Sequence, residues 1–270
     1  MKYKINAVYF SATGTTEKVV KRLADELSKN FNEKSINYKN FTLPSKREES
    51  LHFTDEDIVI VGVPVYAGRV PNVLLNYLKN VKSDGATAIA VVLYGNRNYD
   101  DALIELKDIL NLNGFKVTAA GAFVGEHSFS KILAKNRPDE KDLKKVSEFA
   151  KKVYLKITSE NGQEPVVPGN KNYRPYYKPK DRNGNSVDIR KVTPKTNSDC
   201  TDCKLCVSVC PMGSIDYNDV SKLNYICIKC GACIKICPVN AKYYDDENYL
   251  KHKYELEIEY AERKEPVVFL

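Results

Sequence analysis

The sequence predicts an α/β protein: a doubly wound, five-stranded parallel sheet followed by a small, cysteine-rich α+β domain. Strand and helix patterns alternate five times between residues 3 and 157. Two of the strand patterns, at 57–63 and 87–93, are continuously apolar, as is typical of parallel strands that are covered by helices on both faces. All eight cysteines follow residue 199. Such crowding indicates metal or redox chemistry in the second part of the chain.

Four of the five predicted strands lead into a helical segment with apolar residues at helical spacing, and the weaker second strand does not. The predicted strands are 3–10, 35–41, 57–63, 87–93 and 115–124, and the predicted helices are 16–31, 70–79, 99–112 and 139–157. Ligands of such sheets bind beyond the carboxyl ends of the strands. We therefore expect a binding site in the loops after the first, third, fourth and fifth strands.

The composition divides the chain into three parts: an α/β domain at 1–160, a basic Tyr/Pro-rich arm at 161–195, and the cysteine domain with a C-terminal extension at 196–270. Their net charges are +5, +5 and −3. A basic connector can bind nucleic acid, but no nucleic-acid motif accompanies the charge, so we favour an arm attracted to the acidic domain. The run YRPYY at 173–177 favours an arm packed against a domain over a free tether.

The composition, with 43% hydrophobic and 29% charged residues, supports a folded chain. No apolar run approaches the roughly 20 residues that span a bilayer. The apolar stretch near the start, residues 5–10, is too short for the core of a signal peptide. We therefore expect a soluble, cytoplasmic protein with neither membrane nor nucleic-acid partners.

The cysteines form a repeat. Residues 200–211 and 227–238 both follow C-x2-C-x2-C-x3-C-P, displaced by 27 positions. Three cysteines spaced three apart converge on one iron–sulfur cubane, while the fourth points to the other cubane. The spacing therefore predicts two 4Fe–4S clusters. Cluster one is assigned to Cys200, Cys203, Cys206 and Cys237, and cluster two to Cys227, Cys230, Cys233 and Cys210.

Structural zinc is the alternative, because C-x2-C pairs are also zinc ligands. Zinc ribbons use two separated pairs, whereas each half here has a third and a fourth cysteine at fixed offsets. The repeat resembles that of bacterial ferredoxins with two 4Fe–4S clusters, over about residues 196–245. One difference is Lys204, which stands where the second half has Gly231 and is expected to alter hydrogen bonding around cluster one.

The first strand runs into the loop F-S-A-T-G-T-T-E-K at 10–18, which opens a helix. Backbone N–H groups at a helix N-terminus bind anions, and the hydroxyls of this loop can donate further hydrogen bonds. The loop lacks a P-loop lysine and the pattern G-x-G-x-x-G, which disfavours nucleoside triphosphates and nicotinamide dinucleotides. A phosphate monoester is predicted instead, with plain helix capping as the alternative. The predicted contacts are Ser11, Ala12, Thr13, Gly14, Thr15 and Thr16.

This loop resembles the phosphate loop S/T-x-T-G-x-T of flavodoxins, and the resemblance covers residues 3–157. It implies FMN as the cofactor and the strand order 2-1-3-4-5. It also implies that the loops after the third and fourth strands contact the flavin ring, with Tyr66 and Tyr99 as the aromatic pair and Tyr94 as a substitute. Ordinary packing is the alternative for any one of the 18 tyrosines. The implied contacts are Pro64, Tyr66, Ala67, Gly68, Tyr94, Gly95, Asn96, Arg97 and Tyr99.

Two arginines depart from the flavodoxin pattern, which surrounds the flavin with acidic side chains. Arg69 and Arg97 near the ring would favour the anionic reduced flavin and make it less reducing. The alternative is that both face solvent or pair with Asp100 and Asp101. His127, in the loop after the fifth strand, is a candidate for contact with the flavin or a substrate.

The combination resembles the fused flavodoxin–ferredoxin proteins of anaerobes. FMN exchanges one or two electrons and each cluster one, so such a chain converts between single and paired transfer. One hypothesis is an electron carrier between redox proteins. The other is an FMN-dependent reductase of a small organic substrate, fed through the clusters; a redox sensor is a weaker third. The sequence offers no evident general base or nucleophile, so no catalytic residue is predicted and an enzymatic role stays open.

A relay requires one cluster to approach the flavin edge. We predict a compact chain in which the arm folds over the flavin domain, because the arm and the cysteine domain carry opposite charge. A mobile cysteine domain that shuttles to an external partner is the alternative.

Overall fold

The computed structural model describes residues 3–159, 163–170, 172–179 and 186–270. Within that part of the chain, no helix is long and apolar enough to cross a membrane. The first half contains β1 (Lys4–Tyr9), α1 (Thr15–Phe31), β2 (Ile36–Asn40), β3 (Leu51–Thr54), β4 (Asp57–Pro64), α2 (Leu75–Leu78), β5 (Val81–Asp84), β6 (Thr87–Tyr94), α3 (Ala102–Leu112), β7 (Lys116–Val124) and α4 (Glu140–Thr158). The second half contains β8 (Lys195–Thr196), α5 (Leu205–Ser208), α6 (Ala232–Ile236), β9 (Lys242–Tyr243), α7 (Glu247–Glu259) and β10 (Val267–Phe269).

The central sheet has the order β2-β1-β4-β6-β7-β10. Its first five strands are parallel and have the order that the flavodoxin resemblance implies, so the predicted doubly wound fold is confirmed. The sixth strand was not predicted. It comes from the end of the chain and runs antiparallel to β7, with Val267 opposite Ala122 and Phe269 opposite Ala120. It pairs the backbone edge that β7 would otherwise expose.

Apolar side chains fill both sides of the sheet. Val19, Leu23 and Leu27 of α1 pack with Val146 and Phe149 of α4 on one face. The other face is covered by α3 and α2. The short parallel ladder between β3 and β5 escaped prediction, because four residues with alternating burial give little periodic signal.

The described part of the arm lies against α3. The Glu164 carboxylate pairs with Lys107 at 2.8 Å, and the Tyr173 hydroxyl donates to Asp108 at 2.6 Å. Val167 is buried in the core on that face of the sheet. The prediction of an arm packed against a domain is confirmed for these residues, while the parts of it at 161–162, 171 and 180–185 lie outside the described residues.

Candidate cofactor sites

The loop between β1 and α1 has the backbone of an anion site. Gly14 adopts φ +83°, and a side chain built there would meet no atom within 4 Å, so the space beside it is open. The Ser11 hydroxyl accepts a hydrogen bond from the Glu17 N–H at 3.0 Å, which fixes the loop against the first turn of α1. The Ser11 N–H in turn donates to the Thr42 hydroxyl at 2.8 Å.

The donors of this loop suit a phosphate monoester. The hydroxyls of Thr13 and Thr15 have no hydrogen-bond partner among the described residues. The nearest downstream cation, Lys18, points elsewhere and donates to the Pro138 carbonyl at 2.8 Å. The loop therefore offers hydroxyl and amide donors at the positive end of a helix dipole, and these residues fit the phosphate of FMN.

Thr13→Val is expected to weaken FMN binding by about 1–3 kcal/mol, the usual cost of removing the partner of a buried polar group. Fluorescence titration of the flavin-free chain with FMN measures the change. Thr158→Val is the matched control, because its hydroxyl only caps the end of α4 by donating to the Tyr154 carbonyl. Equal FMN affinity of both variants and the parent would place the phosphate elsewhere.

The loop after β4 is a tight hairpin turn. Tyr66 and Arg69 exchange two backbone hydrogen bonds of 3.0 and 3.1 Å, while Ala67 (φ 51°) and Gly68 (φ 79°) occupy the two left-handed positions between them. Glycine is required at the second position, because a Cβ on Gly68 would lie 2.4 Å from the Asp100 carboxylate. This close approach joins the two loops that the sequence predicted to contact flavin.

The loop after β6 supplies the second predicted aromatic group. Tyr94 is buried and Tyr99 half-buried, with their ring centroids 5.6 Å apart. Burial raises the pKa of the Tyr94 phenol to about 12. The side chain of Asn96 binds the C-terminal segment: its amide donates to the carbonyls of Tyr260 and Glu262 at 2.7 and 2.8 Å. Nothing in the sequence pattern indicated that contact.

Both arginines of these loops are paired with carboxylates. Arg69 forms a bidentate pair with Glu105, two bonds of 2.7 Å, and its guanidinium lies over the rings of Tyr173 and Tyr176. Arg97 pairs with Asp100. The pairing alternative from the sequence holds for Arg97, whereas Arg69 uses a partner on α3 that the sequence did not suggest. Neutralised cations raise the flavin potential less than free ones would.

His127 lies where the loops of the sheet meet the cysteine module, the name used below for residues 196–245. A Cβ on Gly95 would lie 2.4 Å from the His127 ring, and the ring Nδ1 accepts the Phe129 N–H at 3.1 Å. Burial, with Lys235, His252 and Arg97 nearby, lowers the pKa of His127 to about 3. The ring is therefore neutral, with Nε2 as its N–H donor beside the predicted flavin loops.

The two cysteine motifs have the same local backbone. Lys204 (φ 62°, ψ 4°) and Gly231 (φ 74°, ψ 0°) both adopt the left-handed conformation that opens α5 and α6. The fourth cysteine of each motif accepts an N–H from the residue four positions later: Ser214 to Cys210 at 3.3 Å and Ala241 to Cys237 at 3.2 Å. The duplication seen in the sequence is therefore a duplication of structure.

The two predicted ligand sets differ in burial. Cys203 of the first set is exposed, whereas Cys230 and Cys233 of the second are buried. Burial raises the pKa of Cys230 to about 12. Among the described residues, no three His, Cys, Asp or Glu side chains lie close enough together to hold a single metal ion. The second set instead surrounds one cavity, which is lined by Cys210, Cys227, Cys230 and Cys233, and these four thiols fit a cluster.

The second motif packs directly on the loops of the sheet. A Cβ on Gly231 would lie 2.4 Å from the Ser128 carbonyl oxygen, and Lys235 of α6 pairs with Glu126 and donates to the His127 carbonyl at 2.9 Å. The Tyr66 phenol lies within electrostatic range of Cys230 and Cys227: burial, followed by these thiols, raises its pKa. The second motif therefore packs on the loop after β7, with its thiols near enough to Tyr66 to affect that phenol.

Comparison with known proteins gives two family matches. The model of the flavodoxin domain family matches residues 7–173, and the model of the 4Fe–4S dicluster domain matches residues 168–252. No curated protein sequence matches the chain. The dicluster match supports iron–sulfur clusters over the zinc alternative.

Solved structures with a similar fold include several flavodoxins. A flavodoxin from the domain Archaea is 16% identical over 57% of this chain and 99% of its own, with a TM-score of 0.41. Oxidised flavodoxin 2 from Bacillus cereus is 19% identical over 57% and 99%, with a TM-score of 0.43. Rubredoxin oxygen:oxidoreductase from Desulfovibrio gigas is 18% identical over 59% and 37%, with a TM-score of 0.35.

The family assignment does not depend on these structures, because the flavodoxin model alone covers more than half of the chain. The flavodoxin domain implies FMN and the dicluster domain implies iron–sulfur clusters. The chain therefore belongs to the flavodoxin family and is a fused flavodoxin–ferredoxin protein, an electron-transfer protein that combines FMN with iron–sulfur clusters.

Proposed function

We propose that this protein relays single electrons from a redox protein through cluster one and cluster two to FMN. FMN, when bound, exchanges one or two electrons, and each cluster exchanges one. The proposal takes residues 1–160 as the FMN domain, 161–195 as the arm and 196–270 as the ferredoxin domain with its extension. It assigns the phosphate to the Ser11–Thr16 loop and the two clusters to the two cysteine sets predicted from the spacing.

The observation that carries the proposal is the contact between the second cysteine motif and the loop after β7, whose His127 ring lies against Gly95 of the predicted flavin loop after β6. Ile228 of this motif packs against the apolar core of the α/β domain. Arg47 donates to the carbonyl of Pro211, directly after Cys210, at 2.7 Å. These contacts support a fixed position of cluster two beside the flavin rather than a shuttling module.

The first ligand set is suited to the end of the relay at which electrons enter. Cys203 is exposed, and Asp202 beside it has a side chain that is 61% exposed. An external protein reaches this set without displacing the α/β domain. Electron entry at cluster one and exit through the flavin follow from this difference in exposure.

Cys203→Ala is expected to remove cluster one and to slow reduction of the flavin by a reduced bacterial ferredoxin. Anaerobic iron and flavin quantitation gives about eight irons and one FMN for the parent chain and about four irons for the variant. Stopped-flow absorbance then follows cluster and flavin bleaching separately. Eight irons in the variant would show that the ligand assignment is wrong, and an unchanged flavin rate with four irons would contradict the relay.

A reductase is the second candidate, and the cover over the flavin loops favours it. The Tyr177 N–H donates to the Ala67 carbonyl at 2.8 Å, and the Tyr176 hydroxyl donates to the Val70 carbonyl at 2.8 Å. The arm thus covers the loop after β4, while the end of the chain holds Asn96. Such a cover would limit the access of a large protein partner to the ring more than that of a small substrate.

Reoxidation of the reduced protein separates the two functions. A small quinone and a protein acceptor, a flavodoxin without clusters, are compared in the parent and in Cys203→Ala. The relay predicts that the flavodoxin reoxidises the reduced flavin rapidly in both chains, because electrons leave through the flavin. A reductase predicts that the quinone reoxidises the flavin rapidly in both chains and that the flavodoxin does not.

A further inference from the structure

Two tyrosine hydroxyls are buried beside the cavity of the second cysteine set. Tyr244 is 9% exposed and Tyr249 1%. Neither hydroxyl has a hydrogen-bond partner among the described residues. A buried hydroxyl without a partner is unfavourable, and most buried polar groups are hydrogen-bonded. Two such groups side by side indicate an acceptor in the space that they face.

The position of the two phenols identifies that space. Tyr244 lines the cavity that the four thiols of the second set surround. The ring of Tyr249, on α7, packs on Tyr244 with centroids 4.2 Å apart. A tyrosine phenol is protonated at neutral pH, so each hydroxyl is an O–H donor. Neither hydroxyl is bonded to a thiol, and a cluster bound between the four thiols would offer sulfur acceptors in the cavity that they line.

We propose that the hydroxyls of Tyr244 and Tyr249 donate hydrogen bonds to sulfur atoms of cluster two and raise its reduction potential above that of cluster one. The inference rests on the ligand assignment of the proposed function. Reduction adds negative charge to the cluster, and a hydrogen bond to sulfur stabilises that charge. Cluster two therefore accepts electrons from cluster one.

The repeat itself contains the contrast. Tyr217 stands 27 positions before Tyr244 and occupies the equivalent place in the first half. It is 66% exposed, and its ring lies under the Lys204 ammonium at 5.1 Å. The difference arises from α7 and the α/β domain, since Tyr249 and Phe129 cover only the second half. Packing between the domains thus gives the two cysteine motifs, which share one sequence pattern, different chemical surroundings.

The direction of transfer follows from this asymmetry. The second ligand set belongs to the motif that packs on the loop after β7, where Gly231 lies against the Ser128 carbonyl and Lys235 donates to the His127 carbonyl. A higher reduction potential at cluster two keeps electrons next to FMN. Cluster one, whose ligand Cys203 is exposed, is then oxidised again and can accept an electron from another donor protein.

The test is an anaerobic redox titration of the holoprotein followed by electron paramagnetic resonance. The double variant Tyr244→Phe/Tyr249→Phe is expected to lower one of the two cluster potentials by at least a tenfold change in equilibrium constant, 59 mV for one electron, and to leave the other unchanged. Tyr217→Phe is the matched control and leaves both potentials in place. Two unshifted potentials in the double variant, with eight irons and FMN retained, would overturn this inference and leave the relay intact.

A second measurement uses the unmodified protein. Exchange into heavy water is expected to shift iron–sulfur vibrations in the resonance Raman spectrum of the parent, and the double variant is expected to lose most of that shift. Equal isotope shifts in the parent and the variant would contradict the hydrogen bonds. A parent chain without two clusters would instead refute the ligand assignment of the proposed function, and with it the inference.

Discussion

Gly231→Ala is expected to detach cluster two from the flavin loops. A Cβ at this position would lie 2.4 Å from the Ser128 carbonyl oxygen, which is backbone and cannot rotate away. Overpacking of this kind costs about 1–3 kcal/mol. A penalty of that size lowers the ratio of docked to undocked module about 5- to 150-fold. Electron transfer from the clusters to FMN is expected to slow accordingly, as measured by flash photolysis of the holoprotein.

The first cysteine motif provides the control for this variant. Lys204 has the same left-handed backbone and already carries a Cβ, so the conformation itself tolerates a side chain. Its ammonium pairs with Asp202 at 2.7 Å, within its own motif. Lys204→Ala is therefore expected to keep eight irons, the docked arrangement and the parent transfer rate. A parent-like rate and small-angle scattering profile for Gly231→Ala would show that this contact does not hold the module in place.

Arg137→Met is expected to destabilise the α/β domain by about 3–5 kcal/mol, the cost of breaking a buried ion pair from one side. Arg137 is 5% exposed and forms two bonds with Asp142, of 2.9 and 2.5 Å, while the carboxylate is fully buried. Arg137 also donates to the Lys264 carbonyl at 2.8 Å. Removing it leaves the Asp142 carboxylate with the Asp139 N–H at 2.9 Å and the Arg263 guanidinium at 3.2 Å, and it releases the segment that leads into β10.

Thermal and denaturant unfolding of the FMN-loaded chain, followed by flavin fluorescence, measures this loss. Arg190→Gln is the matched control, because Arg190 forms a similar two-bond pair with Asp188 but its side chain is 85% exposed. Solvent-exposed pairs contribute little, so this control is expected to unfold like the parent. Similar unfolding of Arg137→Met and the control would show that Asp142 finds another partner.

The contacts of Arg137 with Asp142 and with the Lys264 carbonyl do not follow from the sequence. In the sequence, Arg137 stands near Lys131 and Lys135 in a basic loop. Lysine and arginine side chains in such a loop are mostly exposed to solvent. In the structure the guanidinium points inward, because the capping box of Asp139 and Asp142 brings a carboxylate to the start of α4 directly beneath it. When several basic residues stand close together in a sequence, the pattern does not reveal which of their side chains is buried.

The sequence by itself determined the parallel sheet, its strand order and the duplicated cysteine motif. Each of these depends on local physics: continuous apolar runs for buried strands, helical spacing for α1 and α4, and fixed cysteine offsets for cluster ligands. The assignment of the phosphate to the loop at 11–16 stays a prediction, although the structure does place this loop at the start of α1 with Gly14 as its N-cap.

Only the tertiary structure decided how the two halves meet. Gly231 differs from Lys204 because the Ser128 carbonyl lies against it, and Tyr244 differs from Tyr217 because α7 covers it. The strand β10 and the Asn96 contact bring together residues more than 140 positions apart. Such contacts depend on the shape and burial of the surfaces that meet between domains. They leave no periodic pattern in the sequence. For that reason the cysteine spacing alone describes two matching motifs, whereas the fold gives them different surroundings.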